Sequence, residues 1–169
     1  MRFSMRPERV FSDYSRISPA YLTERGVRLL LCDLDYTLAP KAQSEPDQRL
    51  RRWLEEMARG GVTVMILSNN RNPVRVERFC RELGIEYEGH AGKPSAKGFR
   101  RAMARMGVTP EETAMLGDKL LTDMLGAHAV GVLPLMVEPL GGPKGAWNRV
   151  LHLLQRPWKA AAREKCEEA

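Results

Sequence analysis

Cysteine is scarce in this chain of 169 residues: three, with no CxxC pair among Cys32, Cys80 and Cys166. An odd number of scattered thiols offers neither a disulfide framework nor a thiolate metal site. Two of the three sit in apolar patterns, as buried reduced thiols do. Histidine is equally sparse; His128 and His152 have no partner at metal-ligand spacing, and His90 reads as a surface-loop residue near Lys93. No apolar run approaches the length of a membrane span, and the N-terminal stretch lacks the apolar core of a signal peptide. A cytoplasmic protein is therefore expected. Internal repeats and low-complexity linkers are missing too. What is there is an ordinary globular composition, 43% apolar and 28% charged, in a length that one domain fills.

Charge of one sign does not dominate. The net charge of +6 arises from 27 Lys and Arg against 21 Asp and Glu. Arginines recur around residues 49–52, 71–81 and 100–105, mostly within helical patterns, where they read as solvated faces. The competing reading is attraction to a polyanion or to an anionic membrane surface, which leaves peripheral membrane contact open.

Apolar patterning sets out alternating strands and helices. Residues 1–17 are basic and irregular, with Phe3, Val10, Phe11 and Tyr14 as anchors for a segment that wraps the domain. Ser18-Pro19 opens a short helix closed by Gly26, and residues 27–34 form a first strand. Asp47 caps a helix whose Leu50, Trp53, Leu54 and Met57 fall at i, i+3, i+4 and i+7, stopped by Gly60-Gly61. Further strands are predicted at 62–67, 85–88, 113–116 and 130–137. Helices start at Asn72-Pro73 and Ser95, and residues 120–129 are also helical. An amphipathic helix over 144–156, carrying Trp147, Val150, Leu151 and Leu154, and a frayed tail over 159–169 complete one domain over residues 1–169. The fold class this predicts is α/β, a three-layer doubly wound parallel sheet of about five strands.

Polar residues follow four of these strands. Leu29–Cys32 is an apolar run without alternation, as in a strand buried on both faces, and it ends in Asp33-Leu34-Asp35-Tyr36-Thr37. Ser68-Asn69 follows the second strand, Lys93 the third, and Asp118 with Asp123 the fourth. In a parallel sheet these ends share one edge, where ligands bind. Asp33 and Asp35 share one parity and both can point into that crevice. Two carboxylates so close repel unless a cation lies between them, so a metal-assisted site is the economical reading. Each piece has a bland alternative: an Asp pair can cap a loop, and Ser-Asn is turn chemistry. Their joint occurrence in this order is much harder to explain that way.

The set resembles the motifs of the haloacid dehalogenase-like (HAD) phosphatase superfamily, over about residues 17–137. Asp33-Leu34-Asp35-Tyr36-Thr37-Leu38 is similar to its first motif and Leu67-Ser68-Asn69 to its second. Gly92-Lys93-Pro94 is similar to the third, and Gly117-Asp118 with Asp123 to the fourth. The finer pattern, Gly-Lys-Pro with Phe99 downstream and Gly-Asp-Lys-Leu-Leu-Thr-Asp, resembles the type IIIA, YqeG-like branch related to phosphatidylglycerophosphate phosphatases. Tyr36 departs from it, standing where the branch usually has asparagine and many relatives glycine.

The resemblance implies a Mg²⁺-dependent phosphomonoester hydrolase with Asp33 as nucleophile, an aspartyl-phosphate intermediate, and Asp35 as general acid and then base. It implies Asp33, the Asp35 carbonyl and Asp118 as metal ligands, with Asp123 in support. Ser68 and the backbone N–H of Asn69 would hold phosphoryl oxygens, Lys93 would offset their charge, and Thr37 would brace the loop by hydrogen bonding. Neither gap between motifs has room for an independent cap domain, so the cleft should be open. That suits a lipid phosphate such as phosphatidylglycerophosphate, a macromolecule, or a site covered by a partner subunit in an oligomer. A small phosphorylated metabolite is the alternative substrate. The rival from another class is a non-catalytic binding module contacting RNA, ribosomes or a protein. The intact set of charged residues speaks against it, and nucleic acid is not the expected partner.

Overall fold

The computed structural model describes residues 4–70 and 72–141. Phe3, the helix expected over 144–156 and the tail over 159–169 lie outside them.

Six strands form one parallel sheet: β1 (Arg9–Phe11), β2 (Leu29–Cys32), β3 (Thr63–Leu67), β4 (Tyr87–Glu88), β5 (Thr113–Gly117) and β6 (Leu133–Val137). Their spatial order is β1-β6-β5-β2-β3-β4. Helices α1 (Pro19–Thr23), α2 (Gln48–Arg59), α3 (Pro73–Leu83), α4 (Ala96–Met106) and α5 (Leu125–Val130) connect them.

Strand periodicity explains the layers. Along β2, Leu30 and Cys32 face one side, where they join Leu22, Leu50, Trp53, Met57, Val76 and Phe79 of the α1, α2 and α3 layer, with Tyr14 from the segment before α1. Leu29 and Leu31 face the other, with Phe99, Ala102 and Met103 of α4 and Ala127 of α5. Both faces of β2 are covered, which is why its run of leucines shows no alternation. The three-layer α/β class expected from the sequence is the one observed.

Helix starts follow the predicted chemistry. The side chains of Ser18, Asp47, Asn72 and Ser95 each accept a backbone N–H from the first turn of α1, α2, α3 and α4. The stripe of α2 is buried as read, and Trp53 Nε1 donates to the Ile17 carbonyl at 3.0 Å. No described helix is long and apolar enough to cross a membrane.

The sixth strand corrects the reading of residues 1–17 as irregular. Arg9, Val10 and Phe11 pair in parallel with Leu135, Met136 and Val137, and Tyr14 heads a 3-10 turn through Arg16. Three residues carry no usable periodicity. Burial of Phe11, Tyr14 and Ile17, with Tyr14 packed edge-on to Trp53 at 5.1 Å, holds the segment at the sheet edge.

Candidate active site

Doubly wound sheets place ligands where the strand order turns back on itself, outside the carboxyl ends of the strands. Here β2 runs between β3 and β5, and the chain leaves these ends through Asp33, Ser68 and Asp118. A cleft of about 300 Å³ opens there, lined by Asp33, Asp35, Lys41, Ser68, Asn69, Asn70 and Lys119. Between β2 and α2 there is only an irregular stretch, and between β3 and α4 only α3 and β4, so among the described residues no lid domain covers the cleft.

The floor is a compact set of charges. Lys93 reaches in from the loop after β4, with its side chain only 1% exposed, and donates to Asp33 Oδ1 at 2.8 Å. Its ammonium also lies 2.7 Å from Asp123 Oδ1, but that contact lacks hydrogen-bond alignment, so the buried oxygen is left without a well-directed donor. Asn69 fixes the lysine from behind: its amide oxygen accepts Lys93 N–H at 2.9 Å and its NH₂ donates to the Lys93 carbonyl at 2.8 Å. Thr37 is fully buried, with its hydroxyl 3.5 Å from Asp118 Oδ1. Ser68 Oγ accepts the Asn70 N–H at 3.0 Å.

A π-helical turn (Leu120–Met124) follows β5 and turns Asp123 inward, where its Oδ2 accepts the Lys119 N–H at 3.1 Å. Gly117 makes room for it. A Cβ there would lie 2.3 Å from Asp123 Oδ2. Gly117→Ala is therefore expected to destabilise the protein by about 2–3 kcal/mol through overpacking, read by urea denaturation, and to displace Asp123 from the cluster.

Asp33, Asp118 and Asp123 can each offer an oxygen within 4.8 Å of the others. Crowded and buried, Asp118 and Asp123 resist ionisation. Burial pushes Asp118 up to about 6, and the charges of Asp33 and Asp123 add to the shift while Lys119 opposes it. Asp123 is raised by burial and by Asp33, against Lys93. Burial alone would lower Lys93, but Asp123 and Asp33 outweigh it and its net shift is upward. An all-oxygen donor set and mutually repelling carboxylates together fit a hard divalent cation.

Asp35 stands apart from that cluster, on the cleft wall. Asn70 Nδ2 donates to its Oδ2 at 2.7 Å, and Arg75 Nη1 lies 3.2 Å from its Oδ1. Burial raises its pKa, with Arg75 opposing and Asp33 reinforcing. Through Nη2, Arg75 also donates to the carbonyls of Pro40 and Gln43, tying the loop after β2 to α3. Asn70, Arg75 and Lys119 escaped the sequence reading. Asn70 adjoins the second motif and Arg75 falls on the first turn of α3, but nothing in their spacing shows how far a long side chain reaches.

Tyr36 adopts φ +67°, the left-handed region that glycine and asparagine tolerate best. That explains the residue types expected there. Tyr36→Asn should raise stability by about 1 kcal/mol, measured by chemical denaturation.

The family model for haloacid dehalogenase-like hydrolases matches residues 13–131. The chain belongs to this family. It is 35% identical over 159 residues to "Probable phosphatase YqeG" of Bacillus subtilis (strain 168), covering 94% of this chain and 92% of that one. Its fold is similar to the cobalt-bound form of deoxy-D-mannose-octulosonate 8-phosphate phosphatase (YrbI) from Haemophilus influenzae. The TM-score is 0.55 at 19% identity, over 82% of this chain and 92% of the other. A HAD superfamily (subfamily III A) protein from Legionella pneumophila gives 0.53 at 19% identity, over 84% and 89%. The family and branch expected from the four motifs are those found.

Proposed function

We propose that this HAD-family hydrolase is a metal-dependent phosphomonoesterase working through an aspartyl-phosphate on Asp33. The observation that carries the reading is the joint floor of Asp33, Lys93, Asp118 and Asp123 beneath an open cleft. The phosphatase named among its relatives supports it.

In this reading the Asp33 carboxylate, oriented by Lys93, attacks phosphorus and the ester oxygen departs. Asp35 gives that oxygen a proton, which burial helps it to hold, and then takes one from the water that hydrolyses the acyl phosphate. Ser68 and the Asn69 N–H would bind phosphoryl oxygens, and Lys93 would offset their charge. Thr37, out of the cleft, braces Asp118. Mg²⁺ suits the donors Asp33, the Asp35 carbonyl, Asp118 and Asp123, and would supply positive charge opposite the phosphoryl group.

The substrate reading is a lipid phosphate such as phosphatidylglycerophosphate. Its support is a cleft that no described element covers and the net charge of +6. Phosphate release is to be measured with and without Mg²⁺ on that lipid in micelles, sugar phosphates, nucleotides and a phosphopeptide. Metal-dependent release concentrated on the lipid supports the whole reading, and release from small metabolites alone removes its lipid part. No release from any member, with the fold intact, would favour a non-catalytic module instead.

A further inference from the structure

Two lysines enter the carboxylate cluster, and they differ in kind. Lys93 is enclosed and held at both ends, by Asp33 and Asp123 at the ammonium and by Asn69 at the backbone. Lys119 comes from the cleft side with its side chain 40% exposed. Its ammonium lies 3.0 Å from Asp118 Oδ1 and 3.8 Å from Asp33 Oδ2, between two of the three clustered carboxylates. Its backbone N–H is also tied down, by Asp123 Oδ2 at 3.1 Å, but its side chain is not enclosed, and the cleft it lines gives the ammonium room to leave.

We propose that Lys119 is a tethered competitor for the divalent cation, occupying the position between Asp33 and Asp118 until a metal ion displaces it into the cleft. The inference rests on the metal reading above. A divalent cation bound at about 2.0–2.1 Å from oxygens of both residues would take the space and the lone pairs that the ammonium now uses. Like charges also exclude one another there. Metal binding is then an exchange. The ion gains the carboxylates and the protein loses the Lys119 ion pairs, so the metal-free site is partly neutralised internally and metal affinity is held down. Lys119 is in this sense a determinant of metal affinity, acting through the ligands it blocks.

Calorimetric titration of Mg²⁺ into the full-length protein tests this, with Lys119→Met compared against Lys41→Met. Lys41 lines the same cleft and acts on Asp35 through its charge, but makes no ion pair with the cluster, so its variant reports the general loss of one positive charge. The expected result is that Lys119→Met tightens Mg²⁺ binding about fivefold, the scale of one displaced ion pair in a partly exposed site. Lys41→Met should shift it less than about twofold. Equal affinity in wild type and Lys119→Met, or equal gains in the two variants, overturns the proposal while the metal reading stands. Absence of Mg²⁺ binding in all three proteins overturns both. Lys119→Gln, which keeps polarity at the cleft, replaces the Met variant if circular dichroism shows that the latter is unfolded.

Discussion

Asp33→Asn is expected to lower kcat by at least about four orders of magnitude on any substrate the protein hydrolyses, the scale seen when a nucleophile is removed. An amide oxygen of almost the same shape takes the carboxylate's place, so binding geometry persists while the attacking electron pair is lost. The fold should survive. Lys93 keeps its contact with Asp123, and one of three crowded negative charges disappears from the floor. Activity assays paired with far-UV circular dichroism separate the two effects. A folded Asp33→Asn protein with activity near wild type would remove Asp33 from the nucleophile's role.

Asp118→Asn should stabilise the metal-free protein while abolishing its response to Mg²⁺. The carboxyl of Asp118 titrates near 6 in the folded state, above the ordinary value of 3.8. Between about pH 4 and 6 the folded protein therefore holds a proton that the unfolded chain has released, and stability rises as pH falls through that window. Above it the buried carboxylate costs stability, on the order of 3 kcal/mol, because Lys119 offsets its burial only in part. Asp13 and Glu112, whose pKa values are lowered in the fold, work in the opposite sense, but only near and below their ordinary values of 3.8 and 4.5.

Without metal, the melting temperature should thus be higher at pH 5 than at pH 7. Added Mg²⁺ reverses that slope, because the ion binds the deprotonated ligand and stabilises by mass action. In Asp118→Asn the metal-free melting temperature at pH 7 should rise by about 2–6 °C, with the pH slope flattened and no Mg²⁺ shift. A variant less stable than wild type at pH 7 without metal would show that Lys119 and Thr37 already compensate the Asp118 charge in full.

The stretch from Leu29 to Thr37 could be read closely because two physical signals coincide there. An unbroken apolar run can be satisfied only by a strand covered on both faces, and charges at its end have only the cleft to enter. Capping residues were legible for a similar reason: Ser18, Asp47, Asn72 and Ser95 each satisfy orphan N–H groups next to the residues that carry the pattern. The edge strand Arg9–Phe11 was not legible, because three residues have no period and its position depends on β6 far along the chain.

Within the site, the motifs located Asp33, Asp35, Ser68, Lys93, Asp118 and Asp123, but motif spacing says little about which side chain supports which. Asn69 shows this. Expected to bind phosphate through its backbone N–H, it also uses its side-chain amide to lock Lys93. Residues 120–129 read as an ordinary helix, yet the opening π turn is what swings Asp123 inward, and only the close approach to Gly117 hints at it.

The central claim, that Asp33 carries the phosphoryl group, is tested most directly by acid-quenched mass spectrometry of Asp35→Asn given p-nitrophenyl phosphate and Mg²⁺. Nitrophenolate leaves without needing a proton, whereas hydrolysis of the acyl phosphate still needs the base that this variant lacks. The account predicts a burst of nitrophenolate and a hydroxylamine-sensitive phosphate on the peptide containing Asp33. Metal-dependent nitrophenolate release in the variant, with Asp33 unmodified at every quench time, would contradict it.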